Sequence, residues 1–334
     1  MIQQGEYVNK IDLNKDTNLL LYSELLRIRI IEEKIAEIYP EQEMRCPVHL
    51  CVGEEAVAVG VCANLTRDDY VLSNHRSHGH YLAKGGDLKA MMAEIYGKVT
   101  GCCGGKGGSM HLVDLEAGFL GATPIVGSTI PIATGAALGT VMRGEQRVSV
   151  VFLGDASTEE GVFHESLNFA VLKKLPVIFV CENNLYSVYS PLSVRQPEDR
   201  EIYRQAEGHG VKSYHGDGNN VIEVFQMSGE AIQYTRDGNG PTFLEFATYR
   251  WREHCGPYYD NDLGYRTESE FLEWRRCCPL EMVQNQLLRE RIITQAEVTG
   301  LTKKFEEEMA EAVAFAKESP FPTEKNLMEH VYCP

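Results

Sequence analysis

Two runs of β-branched and aromatic residues, Val148-Ser149-Val150-Val151-Phe152-Leu153 and Val177-Ile178-Phe179-Val180-Cys181, constrain this chain more than any other feature. Short apolar runs without strict alternation read as strands buried on both faces, as in a parallel sheet covered by helices. Between them, residues 161–174 carry Val162, Phe163, Ser166, Leu167, Phe169, Ala170 and Leu172 at helical spacing, so the unit is a strand, helix, strand crossover. A helix over 221–234 and a strand over 242–246 extend the alternation. The expected fold class is α/β, with an open, doubly wound, mainly parallel sheet flanked by helices.

Both runs end in groups that can do chemistry: Gly154-Asp155 after the first, Glu182-Asn183-Asn184 after the second. In an open parallel sheet, ligands sit beyond the carboxyl ends of the strands. A carboxylate from Asp155 and an amide oxygen from Asn184, 29 positions later, form part of an octahedral Mg2+ shell that phosphate oxygens and water would complete. The pattern therefore reads as a Mg-diphosphate site. Gly105-Lys106-Gly107 is no P-loop, because Lys106 is not followed by Ser or Thr, and no GxGxxG opens a helix after a strand.

The remaining chain reads as helices and one unusual loop. Residues 17–39 place Leu19, Leu20, Leu25, Leu26, Ile30, Ile31, Ile35 and Ile38 at helical spacing before Pro40. Further helices follow Gly53, span 87–96 between Asp87 and Gly97, and cover the small residues Ala133, Gly135, Ala136, Ala137 and Gly139 within 128–142. Residues 97–128 crowd Gly97, Gly101, Gly104, Gly105, Gly107, Gly108, Gly118, Gly121 and Gly127 around Met110, His111 and Phe119, which reads as an ordered ligand-approaching loop. Two helices fill 279–317. No linker divides the chain, so one domain is expected over 1–334, with helical extensions at 1–45 and 279–334.

With 334 residues, 43% of them hydrophobic, the chain supports a large buried core, and its net charge of −16 argues against a nucleic-acid partner. No apolar run approaches the roughly 20 residues a membrane helix needs. Residues Met1 to Glu6 lack a signal or transit pattern, which predicts a cytoplasmic location. The ten cysteines include no CxxC pair, and the doublets Cys102-Cys103 and Cys277-Cys278 suit zinc poorly, so they are expected as free thiols.

The Asp155 to Asn184 unit resembles the thiamine diphosphate motif in the alpha subunits of 2-oxo acid dehydrogenase E1 components. The resemblance continues through His49-Leu50-Cys51-Val52-Gly53-Glu54-Glu55-Ala56, Arg76-Ser77-His78-Gly79-His80, Gly105-Lys106-Gly107-Gly108-Ser109-Met110-His111, Ile125-Val126-Gly127 and Tyr249-Arg250. Among the pyruvate, branched-chain and acetoin types it looks closest to the acetoin branch. The resemblance implies a thiamine-diphosphate-binding fold, with Mg2+ held by Asp155, Asn184 and the carbonyl of Tyr186. It puts the diphosphate on Arg76 and the backbone of Ala156 and Ser157, with His75 and Arg250 also at the cofactor. Pro124 to Val126 would lie against the aminopyrimidine ring, and His49, His78 and His254 around the reacting carbon.

It further implies that a beta-type E1 subunit supplies the glutamate that activates the cofactor, in an α2β2 assembly, so that the chain is inactive alone. The implied reaction is decarboxylation of a 2-oxo acid with acyl transfer to the lipoyl group of an acyltransferase. Acetoin-type carbon-carbon cleavage and carboligation to an aldehyde or keto sugar share its first steps. Several positions depart from the family. Ala156 replaces Gly and is tolerable only without a positive φ; Pro124 also stands where Gly is frequent; His75 stands where Tyr is frequent, so its charge would follow pH. Cys255 replaces a regulatory serine, which implies no phosphorylation there. Arg252 and Glu253 either reshape the substrate entrance or face solvent.

Overall fold

The computed structural model describes residues 13–329 and 331; Met1 to Glu6 and Cys333, read above, lie outside the described residues. The first helix, α1 (Lys15–Ile38), starts where Asn14 accepts a hydrogen bond from the Thr17 amide. It buries Leu21, Leu25, Ile28, Ile31 and Ile35, the three- and four-residue spacing that puts them on one face. Pro40 sits in the 3₁₀ turn Tyr39–Glu41 that ends it. Next come α2 (Glu55–Cys62), β1 (Tyr70–Ser73), α3 (His78–Ala83), α4 (Leu88–Ile95) and β2 (Phe119–Ala122). Then α5 (Thr129–Arg143) stops at Gly144, whose φ of 68° is left-handed and suits glycine.

The crossover read from the sequence is present as β3 (Ser149–Gly154), α6 (Gly161–Lys173) and β4 (Val177–Asn183). A hairpin of β5 (Tyr186–Ser187) and β6 (Ser190–Pro191) leads into the single turn α7 (Leu192–Arg195). The chain continues through α8 (Ile202–Gly208), β7 (Lys212–Asp217), α9 (Val221–Tyr234) and β8 (Thr242–Ala247). It ends with α10 (Glu268–Arg275), α11 (Pro279–Arg289), α12 (Gln295–Glu318) and the turn α13 (Glu324–Leu327). The nine described cysteines are free.

Six parallel strands form one sheet in the order β2-β1-β3-β4-β8-β7. Alternate side chains of β3 and β4 feed opposite faces, as the two-residue pleat requires. Val150, Phe152, Ile178 and Val180 join the core that also contains α1, α2, α9 and α12. Val151, Leu153, Phe179 and Cys181 join a second core under α5, α6 and α8. Each of these fully buried side chains contributes about 1.5–3 kcal/mol relative to exposure. Helices on both faces make the sheet doubly wound. The chain runs from β1 to β2 on one side and then returns from β2 past β1 to β3 on the other, so the crevice belongs beyond the carboxyl ends of β1 and β3.

Candidate active site

A cleft of about 260 Å³ opens at that point, and successive strand ends furnish its walls. Beyond β1 come Asn74, His75 and Arg76; beyond β2, Thr123 to Gly127; beyond β3, Asp155, Ala156 and Ser157; beyond β4, Asn184 and Tyr186; and beyond β8 the chain runs on to His254. His49 and Glu54 enter from the turn before α2. Sequence-predicted residues His49, His75, Arg76, Pro124, Val126, Asp155, Ala156, Ser157, Asn184, Tyr186 and His254 thus line one cleft. His78 and Arg250 do not.

The oxygen-rich wall is built around Asp155, which is buried and paired through its carboxylate with the guanidinium of Arg195 on α7. Arg195 also holds Glu159, and burial pushes the Asp155 carboxyl above its ordinary range despite the arginine. Ala156 lies in a 3₁₀ turn and has no positive φ, so replacing glycine costs nothing there. Asn184 donates its amide N–H to Glu54 at 2.9 Å, which turns its oxygen toward the Tyr186 amide at 3.3 Å. Leu185 and Val188 adopt φ values of 72° and 55°, left-handed backbone that is costly for such side chains and concentrates at functional turns.

A carboxylate from the turn after β3, with an amide oxygen and a main-chain carbonyl from the turn after β4, makes a hard-donor set suited to Mg2+. Arg195 already places a positive charge on Asp155, so the residues fit a cation beside a diphosphate. Arg76 contributes the neighbouring charge: its Nη1 donates to the Leu50 carbonyl at 2.7 Å and its Nε lies 3.3 Å from Glu54. Glu54 therefore ties the expected phosphate-binding arginine to the expected metal-binding asparagine.

Three imidazoles meet in the same cleft. The ring centroids of His49 and His75 are 4.7 Å apart, those of His49 and His254 5.1 Å, and those of His75 and His254 5.2 Å. Burial first, then the Arg76 guanidinium, holds His49 down to about 2 and His75 and His254 to about 3. Burial and the Arg76 charge thus favour the neutral His75 ring, against the charged form expected to follow pH. Three neutral rings can donate hydrogen bonds to an oxygen or accept a proton one at a time.

His78 is fully buried outside the cleft. Its Nδ1 meets Glu32 at 2.7 Å and its Nε2 meets the Ser109 hydroxyl at 2.7 Å, so both nitrogens are engaged in fastening the glycine-rich loop to α1. A direct role at the reacting carbon does not fit that placement. Arg250, expected at the cofactor, is also fully buried; it donates to the carbonyls of Val188 and Arg252 at 2.9 and 2.7 Å and pairs with Asp260. It anchors the hairpin behind Tyr186. Arg252 pairs with Glu33 and donates to the Pro257 carbonyl, while Glu253 accepts from the Tyr258 amide, so neither lines the cleft.

The glycine-rich loop is ordered by one buried carboxylate. Glu94 accepts backbone N–H groups from Cys103 at 2.8 Å, Gly105 at 2.9 Å, Gly107 at 2.7 Å and Gly108 at 3.0 Å. Sequence reasoning missed Glu54 and Arg195 because their partners Asn184 and Asp155 are remote in the chain, and Glu94 because it bonds backbone amides, which leave no side-chain pattern.

The Dehydrogenase E1 component family matches residues 23–325. The chain is 40% identical over 324 residues to the alpha subunit of acetoin:2,6-dichlorophenolindophenol oxidoreductase from Bacillus subtilis (strain 168), covering 96% of this chain and 95% of that one. It is 38% identical over 340 residues to the chloroplastic pyruvate dehydrogenase E1 component subunit alpha-3 of Arabidopsis thaliana, covering 99% and 78%. The acetoin:2,6-dichlorophenolindophenol oxidoreductase alpha subunit of Cupriavidus necator is 36% identical, with 96% of each chain covered.

Proposed function

The chain belongs to the dehydrogenase E1 component family, and from that premise we propose that it is the alpha half of a thiamine-diphosphate- and Mg2+-dependent centre that cleaves the bond beside a carbonyl. The observation that supports this reading is one cleft lined by Asp155, Asn184 and Tyr186 together with three mutually close imidazoles. Asp155, the Asn184 oxygen and the Tyr186 carbonyl hold the metal, with Arg195 giving way to it. Arg76 and the amides of Ala156 and Ser157 take the diphosphate, and the Pro124 carbonyl and Val126 backbone orient the ring. Bound there, thiamine diphosphate supplies the nucleophilic carbon and electron sink for the bond cleavage. His49, His75 and His254 hold the substrate oxygen and carry its proton. His78 and Arg250 are positioning residues.

Val126 and Ile125 stand exposed at the cleft rim, and a beta-type subunit covering them supplies the carboxylate that activates the ring. Acetoin cleavage is favoured over 2-oxo acid decarboxylation by one feature. Arg76, the cleft's one Lys or Arg side chain among the described residues, is assigned to the diphosphate, leaving no further Lys or Arg in the cleft for a substrate carboxylate. Transfer of the acyl unit to a lipoyl acyltransferase completes the sequence. Assay of the assembled subunits with an artificial electron acceptor tests the choice: turnover of acetoin above pyruvate supports it, the reverse selects a 2-oxo acid, and activity that needs an aldehyde selects ligation.

A further inference from the structure

The three imidazoles have a second capacity that the cofactor site does not use. Their ligand nitrogens all lie within 4.8 Å of one another, and each ring is delivered by a different segment: the buried His49 before α2, and the half-buried His75 after β1 and His254 after β8. The rings meet edge to face, with interplanar angles of 72° and 85° from His49 to the other two, so their edges converge rather than stack. His49 is 6% exposed, and its Nδ1 is buried with no hydrogen-bond partner. His80 differs: its Nδ1 meets Ser73 at 2.7 Å and its Nε2 meets Glu182 at 3.0 Å, a fully satisfied structural ring.

We propose that His49, His75 and His254 form a site for one borderline divalent transition-metal ion, of the Zn2+ or Co2+ class, with its fourth position open to the cleft. Imidazole nitrogen selects such ions over Mg2+, which prefers oxygen. A tetrahedral ion with nitrogens at about 2.0–2.1 Å holds them about 3.3 Å apart, so the trio closes by about 1.5 Å at most. The nearby Arg76 charge, which would oppose a cation, is met by Glu54. The two walls of the cleft therefore sort metals by hardness. An ion on the imidazoles stands where the substrate oxygen belongs and blocks turnover until chelated.

The test is Co2+ titration of the full chain, alone and assembled with its beta-type subunit, in excess Mg2+ and without thiamine diphosphate. One equivalent per chain should give the visible absorption of imidazole-bound Co2+, and Zn2+ should bleach it. His75→Phe and His254→Phe should each weaken binding at least about 100-fold, since each removes a direct ligand, with unchanged circular dichroism as the folding control. Asp155→Asn should abolish the Mg-cofactor effect and keep the Co2+ band. The proposal is overturned if wild type gives no band, if a folded His75→Phe or His254→Phe chain binds as wild type does, or if Asp155→Asn removes the band.

Discussion

Replacing Glu94 by Gln should release the glycine-rich loop while the sheet stays intact. Each Glu94 oxygen accepts two backbone N–H groups: Oε2 those of Cys103 and Gly105, Oε1 those of Gly107 and Gly108. Whichever way a glutamine amide turns, its NH2 faces two donors and two charge-assisted bonds are lost. At about 1.5–3 kcal/mol each, the loss is about 3–6 kcal/mol, or about two to four orders of magnitude in local opening. Amide hydrogen exchange reads this directly. The Cys103, Gly105, Gly107 and Gly108 amides should exchange faster by that factor, and trypsin should cut after Lys106, while β3 and β4 amides stay protected. Unchanged exchange at the loop, or equal loss of protection in β3 and β4, would refute the local account.

Asp155→Asn should remove the rise in melting temperature that thiamine diphosphate with Mg2+ gives the assembled subunits, measured by differential scanning fluorimetry. His49, His75 and His254, held at about 2, 3 and 3 instead of the ordinary 6.5, take up protons on unfolding below that value. Stability should thus be full above pH 6.5 and decline as pH falls toward 3, and His75→Phe should flatten the slope in denaturant titrations across that window. Arg252→Ala, which removes contacts to Glu33 and Pro257 outside the cleft, should leave kcat/KM within about twofold while lowering the melting temperature, because most single losses of this kind cost about 0.5–3 kcal/mol. Removing divalent cations with EDTA should abolish activity, and added Mg2+ should restore it.

The strands legible in the sequence were those with both faces buried. β3 and β4 are continuous apolar runs, and β8 is nearly so; each lies inside the sheet. β7 was illegible because Lys212-Ser213-Tyr214-His215-Gly216-Asp217 is an edge strand with little to bury, and β1 has four residues. β2 hides within the glycine-rich stretch, where Gly121 interrupts any pattern. Of the cleft, the strand-end residues Asp155 and Asn184 could be read from spacing. Glu54 and Arg195 could not, since their partners stand up to 130 positions away and only folding brings them together. His78 and Arg250 stand outside the cleft lining for a related reason: a motif gives a residue's neighbours in the chain, not the side on which its ring or guanidinium is spent.

The two edges of the sheet age differently under change. Every cleft group sits within a few residues of a carboxyl strand end or in the segments beyond β8 and before α2, so a shift of one position there moves chemistry. At the opposite edge, Glu145–Arg147 turns the chain from α5 into β3 at the surface, whereas Lys174–Pro176 buries Leu175 in the core and pairs the Pro176 carbonyl with the Ser149 amide. The first of these turns is the place to insert an affinity tag, a fluorophore or a surface anchor, because added length there is absorbed by solvent and the geometry across the molecule is left as it was.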